Sequence, residues 1–292
     1  MSQSHARLYL MIVATAVVLT GAASVSSARA DDFAGDVPDL VWIDVGGAIN
    51  DISTDATLTG PRGVGVAVNF EDIFDLPGNK TAARMFGTAR ISPKRRHIDF
   101  GYVDIDRSGS RVIQQDVEFG DYTFLANGEV KARFATQFVY AAFRYDFLNE
   151  EKVHISGSAG LTFIRLIASL EGTASYQTDP NDPGSTVTSD VKREGSAGAP
   201  VPMVGLNLDW ALTKRLVVRT YTRFFRLNVS SFNGGLFESG VRLNWYFAKH
   251  FGLGVGYDKT DLKIKELKVG NGNVLKADYA IAGAGLYVNL AF

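Results

Sequence analysis

Between Phe237 and Phe247 the chain alternates without a break. Phe237, Ser239, Val241, Leu243, Trp245 and Phe247 fall on one face, and Glu238, Gly240, Arg242, Asn244 and Tyr246 on the other. A period of two is the signature of an extended strand with one apolar and one polar face. Related alternation recurs over residues 40–56, 79–91, 95–109, 130–147, 152–172, 199–211, 215–230, 250–264 and 277–292, with the first example extending over 235–248. Strands of soluble domains average about five or six residues. A tilted strand that crosses a bilayer needs roughly 9–11. The segments here meet or exceed that length. They define an all-β chain, a transmembrane antiparallel up-and-down β-barrel of ten strands. Twelve is the other even count the segments allow, because single-chain barrels of this kind have even strand numbers.

The connections support this reading. Ser92–Arg95, Asn149–Glu151, Thr213–Lys214 and Ala248–His250 are tight turns, whereas 57–78, 110–129, 173–198, 231–234 and 265–276 are longer. Short turns at one end and longer loops at the other are the usual asymmetry of a membrane barrel. The stretch 173–198 is rich in Ser, Thr, Asp, Gly and Pro, centred on Asp179-Pro180-Asn181-Asp182-Pro183-Gly184, and reads as a polar outer loop. Val64–Phe70 is also strand-like. An even count places it outside the ring, in a hairpin extension followed by a short helical turn at Glu71–Leu76.

The N-terminus has the three parts of a secretion signal. Met1–Arg7 carries Arg7 and no acid, Leu8–Leu19 is apolar apart from Thr15, and Ala28-Arg29-Ala30 presents a small-x-small cleavage pattern. The expected organisation is a signal peptide over 1–30, a short periplasmic segment over 31–39, and the barrel over 40–292. Beyond the leader no window approaches 18 consecutive apolar residues, which excludes a spanning helix. Loss of Arg7 and Arg29 with the leader reduces 30 basic residues to 28, against 31 acidic. A nucleic-acid partner is excluded by that balance, since such proteins show a basic excess. With no cysteine, neither a disulfide framework nor a thiolate metal site exists.

The sequence closes on Gly285-Leu286-Tyr287-Val288-Asn289-Leu290-Ala291-Phe292, in which Leu286, Val288, Leu290 and Phe292 share a face. The pattern of Gly285, Val288, Leu290 and Phe292 resembles the C-terminal targeting signal of bacterial outer-membrane β-barrels. The stretch Arg95–Arg111, RRHIDFGYVDIDRSGSR, is similar to a signature of uncharacterised proteobacterial barrels, a family that brings no activity with it. The resemblance implies an outer-membrane location. It also implies surrounding outer-membrane lipid and lipopolysaccharide, and the barrel-assembly machinery as a partner.

Assigning the apolar face to lipid reads out the interior. An arginine on the lipid face near the midplane costs on the order of 2–4 kcal/mol, so charges within the spanning segments must point inward. Arg144 and Asp146, Asp209, Arg219 and Arg223, Glu238 and Arg242, Asp99 and Asp258 form the expected lumen network. The parity of segment 152–172 slips near Phe163–Ile164, which suggests a bulge and sends Arg165 and Glu171 inward as well. In a narrow barrel such charges pair with one another, because an unpaired buried charge is costly. The network is thus expected to fill the lumen, a selective pore lining being the alternative. Phe147, Trp210, Phe247, Phe251 and Phe292 cluster near the short turns, as an aromatic girdle would.

The catalytic inventory is thin. His97, His154 and His250 all lie beside short turns, without paired metal-ligand spacing, and neither a metal nor a cofactor is expected. His154-Ile155-Ser156 resembles the His-x-Ser of outer-membrane phospholipases and lipid A deacylases. There an Asn follows the Ser, whereas Gly157 follows it here, and alternation turns His154 and Ser156 to the lumen. Asp104, Asp106 and Arg107 are expected at the outer rim. Gly252, Gly254 and Gly256 alternate on a strand and relieve crowding at the inner wall. The expectation is a non-enzymatic barrel, structural, surface-interacting or a narrow passive pore. An outer-membrane lipid hydrolase of deacylase or phospholipase type is the alternative.

Overall fold

The computed structural model describes residues 40–292 apart from 60–64, 93–94, 120–121, 178–185, 230–231 and 270–272. The expected signal peptide over 1–30 and the expected periplasmic segment over 31–39 lie outside the described residues.

Ten strands form a closed antiparallel ring: β1 (Val41–Thr59), β3 (Asn79–Ser92), β4 (Arg96–Val112), β7 (Glu129–Asn149), β8 (Val153–Gln177), β9 (Thr186–Thr213), β10 (Leu216–Val229), β11 (Phe232–Ala248), β12 (Phe251–Val269) and β13 (Asn273–Ala291). Each corresponds to one of the ten alternating segments. β13 pairs with β1 from Trp42↔Ala291 to Thr59↔Val274, which closes the ring. Beyond that ladder the Val41 amide donates to Phe292 O at 2.9 Å and the Phe292 amide donates to Val41 O at 2.7 Å. Closure matters because a strand edge inside hydrocarbon leaves its backbone groups unsatisfied.

Three short strands stand outside the ring among the described residues. β2 (Gly65–Asn69) pairs with β1 over Asp55–Thr59, as the even-count argument requires. A helix follows over Phe70–Phe74. Asn69 caps it by accepting from the Asp72 amide at 2.8 Å, and Asp75 ends it at a φ of 54°. β5 (Val117–Phe119) and β6 (Tyr122–Phe124) form a hairpin that joins β8 through Thr123↔Ser175 and Phe124↔Ala174.

The expected polar loop over 173–198 is corrected. β8 is 25 residues long and β9 is 28, paired as far as Gln177↔Thr186. Only 178–185 remains outside the described residues. Beyond the membrane a strand needs no apolar face, so Ser/Thr/Asp-rich sequence suffices there. β9 pairs with β10 only up to Val204↔Phe224, and its continuation runs along β8 alone. Pro200 and Pro202 stand in this one-sided stretch, where a missing N–H breaks no ladder bond.

Outward residues build the lipid band. Leu253, Val255, Leu286, Val288, Val204, Leu206, Val241 and Leu243 are all exposed hydrophobics. At the turn end Phe147, Trp210, Trp245, Phe247, Phe251 and Phe292 are each about half exposed, as the expected girdle requires. Phe292 stacks on His250 with ring centroids 5.8 Å apart.

The orientation can be checked by labelling, since the native chain has no thiol. A cysteine replacing the exposed Glu194 is expected to react with an impermeant maleimide on whole cells. One replacing the exposed Lys249, in the β11–β12 turn, is expected to stay unlabelled. The reverse pattern would invert the topology.

Candidate functional site: the barrel interior

The interior divides into a charged half near the short turns and an apolar half near the loops. In the charged half, β7 supplies Arg144 and Asp146, with β9 contributing Asp209. Arg144 donates from Nη2 to Asp209 Oδ2 at 2.6 Å and from Nε to Asp146 Oδ1 at 3.3 Å. His97 Nε2 lies 2.8 Å from Asp146 Oδ2. A second centre forms on Asp258 of β12. It accepts from Arg242 at 2.7 Å, Arg84 at 2.8 Å, the Tyr221 hydroxyl at 2.8 Å and the Tyr287 hydroxyl at 3.1 Å. All these side chains are nearly or wholly inaccessible except Tyr221, which is half-buried.

Two further arginines are held mainly by rings. Arg223 lies 3.8 Å from the Tyr140 centroid and 4.2 Å from that of Tyr221, with Glu238 Oε2 3.5 Å from its Nε. Arg219 sits 4.1 Å over Trp42 and donates to the Tyr246 hydroxyl at 3.0 Å. Asp44 accepts from Asn289 at 2.6 Å, and Thr88 donates to Asp99. Gly254 is required where these chains converge, since a Cβ there would stand 2.5 Å from Asn244 Oδ1. A cavity of about 50 Å³ remains among Trp42, Asp99, Tyr140, Arg144, Arg219 and Arg223. That is room for a few waters.

Toward the loops the interior becomes hydrophobic. Ile52, Ile105, Phe134, Phe138, Ile164, Leu170, Met203, Leu236 and Tyr279 from the wall pack with Phe70, Phe74 and Leu76 from the short helix and its exit. The helix therefore plugs the mouth. Arg107 fixes it from β4: fully buried, it pairs with Glu71, donates to Thr54 Oγ1 at 2.5 Å and to Pro77 O at 3.3 Å. Glu71 in turn accepts from the Thr54 amide at 3.0 Å.

Of the expected lumen residues, Asp99, Arg144, Asp146, Asp209, Arg219, Arg223, Glu238, Arg242 and Asp258 are buried in the interior. Arg165 is not. It is exposed on the outer face, and Glu171 is also outside, within reach of Lys131 at 3.6 Å and Lys192 at 3.5 Å. The anticipated bulge does not exist: β7 and β8 pair without a shift from Val130↔Gly172 to Asp146↔Ser156. What changes near Phe163 is the environment. Outward positions leave the lipid and, apart from the buried Ile167, become polar (Arg165, Ser169 and Glu171), while Leu166, Ala168 and Leu170 face the apolar plug.

Arg107 was expected at the rim beside Asp104 and Asp106, and lies inside instead. Asp106 faces outward and takes a two-pronged contact from Arg133 at 2.9 and 2.6 Å. Sequence reasoning missed Asp44 and Arg84, although the rule that a mid-strand charge must face inward covers both. Asp44 lies between Ile43 and Val45. Of the histidines expected beside the short turns, His97 and His154 both approach the Asp146–Asp209 cluster. Ser156 Oγ is buried without a hydrogen bond among the described residues, so His154 does not engage it.

No protein-family profile and no curated protein sequence matches the chain. Among solved structures, the outer membrane protease OmpT from Escherichia coli is similar with a TM-score of 0.52 at 12% identity, over 87% of this chain and 97% of that one. OprG from Pseudomonas aeruginosa gives 0.38 at 9% identity, over 90% and 100%. The P. putida toluene transporter TodX gives 0.34 at 9% identity, over 91% and 94%. The chain has the fold of a bacterial outer-membrane β-barrel. At such identities the likeness concerns the fold alone. The barrel carries no group of three or more His, Asp or Glu arranged to hold a metal among its described residues.

Stability should separate inner from outer pairs. Arg144→Gln leaves Asp209 and Asp146 buried without their guanidinium and is expected to cost about 3–5 kcal/mol. Arg133→Gln removes a part-exposed pair and is expected to cost about 1 kcal/mol or less. Urea unfolding in detergent, followed by tryptophan emission, measures both. Equal losses would contradict the assignment of the two faces.

Proposed function

We propose that this outer-membrane barrel is a non-enzymatic structural and surface-interaction protein with a closed, charge-paired lumen. The observation that carries this reading is the filling of the interior from both ends. Arginine–carboxylate pairs occupy the turn end, and the Arg107-anchored helix and its apolar contacts occupy the loop end. A water-sized cavity lined by guanidinium groups and aromatic rings is too small for an organic solute. Passive conduction, where it occurs, is then narrow.

The unpaired Ser156 Oγ supports the non-enzymatic reading, because a hydroxyl without a base is a poor nucleophile. The long β8–β9 hairpin supports a role above the membrane. The partners in this proposal are outer-membrane lipid and lipopolysaccharide, with the barrel-assembly machinery during insertion. Gly285, Val288, Leu290 and Phe292 are proposed as the assembly signal. Half-exposed Val288 and Phe292 on the outward side of β13 offer it an apolar edge.

Planar-bilayer recording of the refolded barrel tests the reading. Conductance is expected to be small or absent, and any residual current should favour anions because Arg144, Arg219, Arg223 and Arg242 line the remaining cavity. Large, steady single-channel currents from the unmodified protein would overturn the closed lumen.

A further inference from the structure

We propose that Arg165, Arg226 and Lys259 form a phosphate-binding girdle on the outer wall, directed at the phosphorylated glycolipid of the outer leaflet. The inference rests on the barrel's membrane placement, with the loop end outside, and not on whether the lumen conducts.

The three residues occupy equivalent steps on alternate strands. On β8, β10 and β12 an outward aromatic is followed two residues later, toward the loop end, by an outward base: Phe163 then Arg165, Phe224 then Arg226, Tyr257 then Lys259. Positions two apart on a strand share a face and lie about 7 Å apart. Phe163, Phe224 and Tyr257 are 45%, 55% and 50% exposed, and they are the last exposed large apolar side chains on the outer face of their strands among the described residues; Ile167, next but one on the same face of β8, is buried. Aromatic rings at such a boundary mark the headgroup level. A base just above them lays its aliphatic stem along apolar surface and puts its charge among the headgroups.

The cations are available. Arg165 and Arg226 are exposed, and neither makes a hydrogen bond or ion pair among the described residues. Lys259 has a half-exposed contact to Asp261 at 3.0 Å. This contrasts with Arg133, whose guanidinium is committed to Asp106. The arrangement is also one-sided. On β1 and β4 the corresponding steps are acidic, Ile49 then Asp51 and Tyr102 then Asp104. The basic arc therefore has a defined place rather than encircling the barrel.

The wall between the two arginines suits a lipid. β9, which separates β8 from β10, bears no charge at this level. Its pairing to β10 stops at Val204↔Phe224, and Pro200 and Pro202 follow. Leu161, Val204 and Leu206 are exposed just below. An acyl chain can lie on this apolar shoulder while a phosphate meets a guanidinium, whose planar fork matches phosphate oxygens two at a time.

The test uses refolded full-length protein in phosphatidylcholine nanodiscs doped with lipid A, either phosphorylated or enzymatically dephosphorylated. Lipid retained by the barrel is counted by native mass spectrometry. Wild-type protein is expected to retain the phosphorylated form about tenfold over the dephosphorylated one, and R165Q/R226Q to lose about tenfold of that retention. R165K/R226K keeps the charge and should lose less. Folding of each variant is verified by heat-modifiable migration, and the wild-type comparison of the two lipids stands even if a variant does not fold. Equal retention of the two lipids, or unchanged retention by folded R165Q/R226Q, would overturn the proposal. Displacement of the lipid by millimolar inorganic phosphate would assign the residues to a free anion and overturn it as well.

Discussion

A backbone N–H or C=O facing hydrocarbon without a partner costs several kcal/mol, so a sheet in a bilayer must meet its own edge. In this chain the meeting is the ladder from Trp42↔Ala291 to Thr59↔Val274. Once the ring is closed, each residue of a spanning strand has only two destinations. Odd positions of β12, such as Leu253 and Val255, go to lipid, and even ones, such as Gly254 and Asp258, go inside. The concentration of charge in the interior follows from this division, because the outer face cannot accept it.

The narrow interior then has to satisfy what it receives. Asp258 does so by serving Arg84, Arg242, Tyr221 and Tyr287 together. Buried pairs of this kind add little net stability compared with an apolar filling, but losing one member is expensive. They therefore act as locks. The loop half solves the same problem with hydrocarbon side chains and a helix, and Arg107 joins the two solutions by tying the helix to the wall. A polar lock below an apolar plug is the physical basis for reading the lumen as closed. The working surfaces are then the outer wall and the β8–β9 hairpin.

Much of this is legible in the amino-acid sequence. Lipid imposes its alternation most strictly near the midplane, so Phe237–Phe247 and the other nine segments could be located, and of the eleven charged residues expected in the lumen all but Arg165 and Glu171 are buried there. Legibility declined where lipid stops acting. Above Phe163 the outer face no longer has to be apolar, so Arg165 and Glu171 resemble inward residues after a bulge that β8 does not contain. The strand character of 186–198 was hidden for the same reason. Arg107 was misplaced because its environment depends on a helix 33 residues or more earlier in sequence that folds back into the mouth. Nor could alternation reveal the His97–Asp146 contact, which depends on the register between β4 and β7.

The central claim is that one face of β8 stays outward along its whole length, through the lipid and beyond it. A nitroxide scan of β8 from residue 157 to 171 tests this most directly, on single-cysteine variants of a chain that has no native thiol. Accessibility to oxygen, which concentrates in lipid, is expected to peak at 159, 161 and 163. Accessibility to a water-soluble nickel chelate is expected to rise at 165 and 171, on the same odd parity. A change of parity between 163 and 165, with position 165 shielded from both reagents, would contradict the account. It would return Arg165 to the lumen and remove the base of the outer-wall girdle.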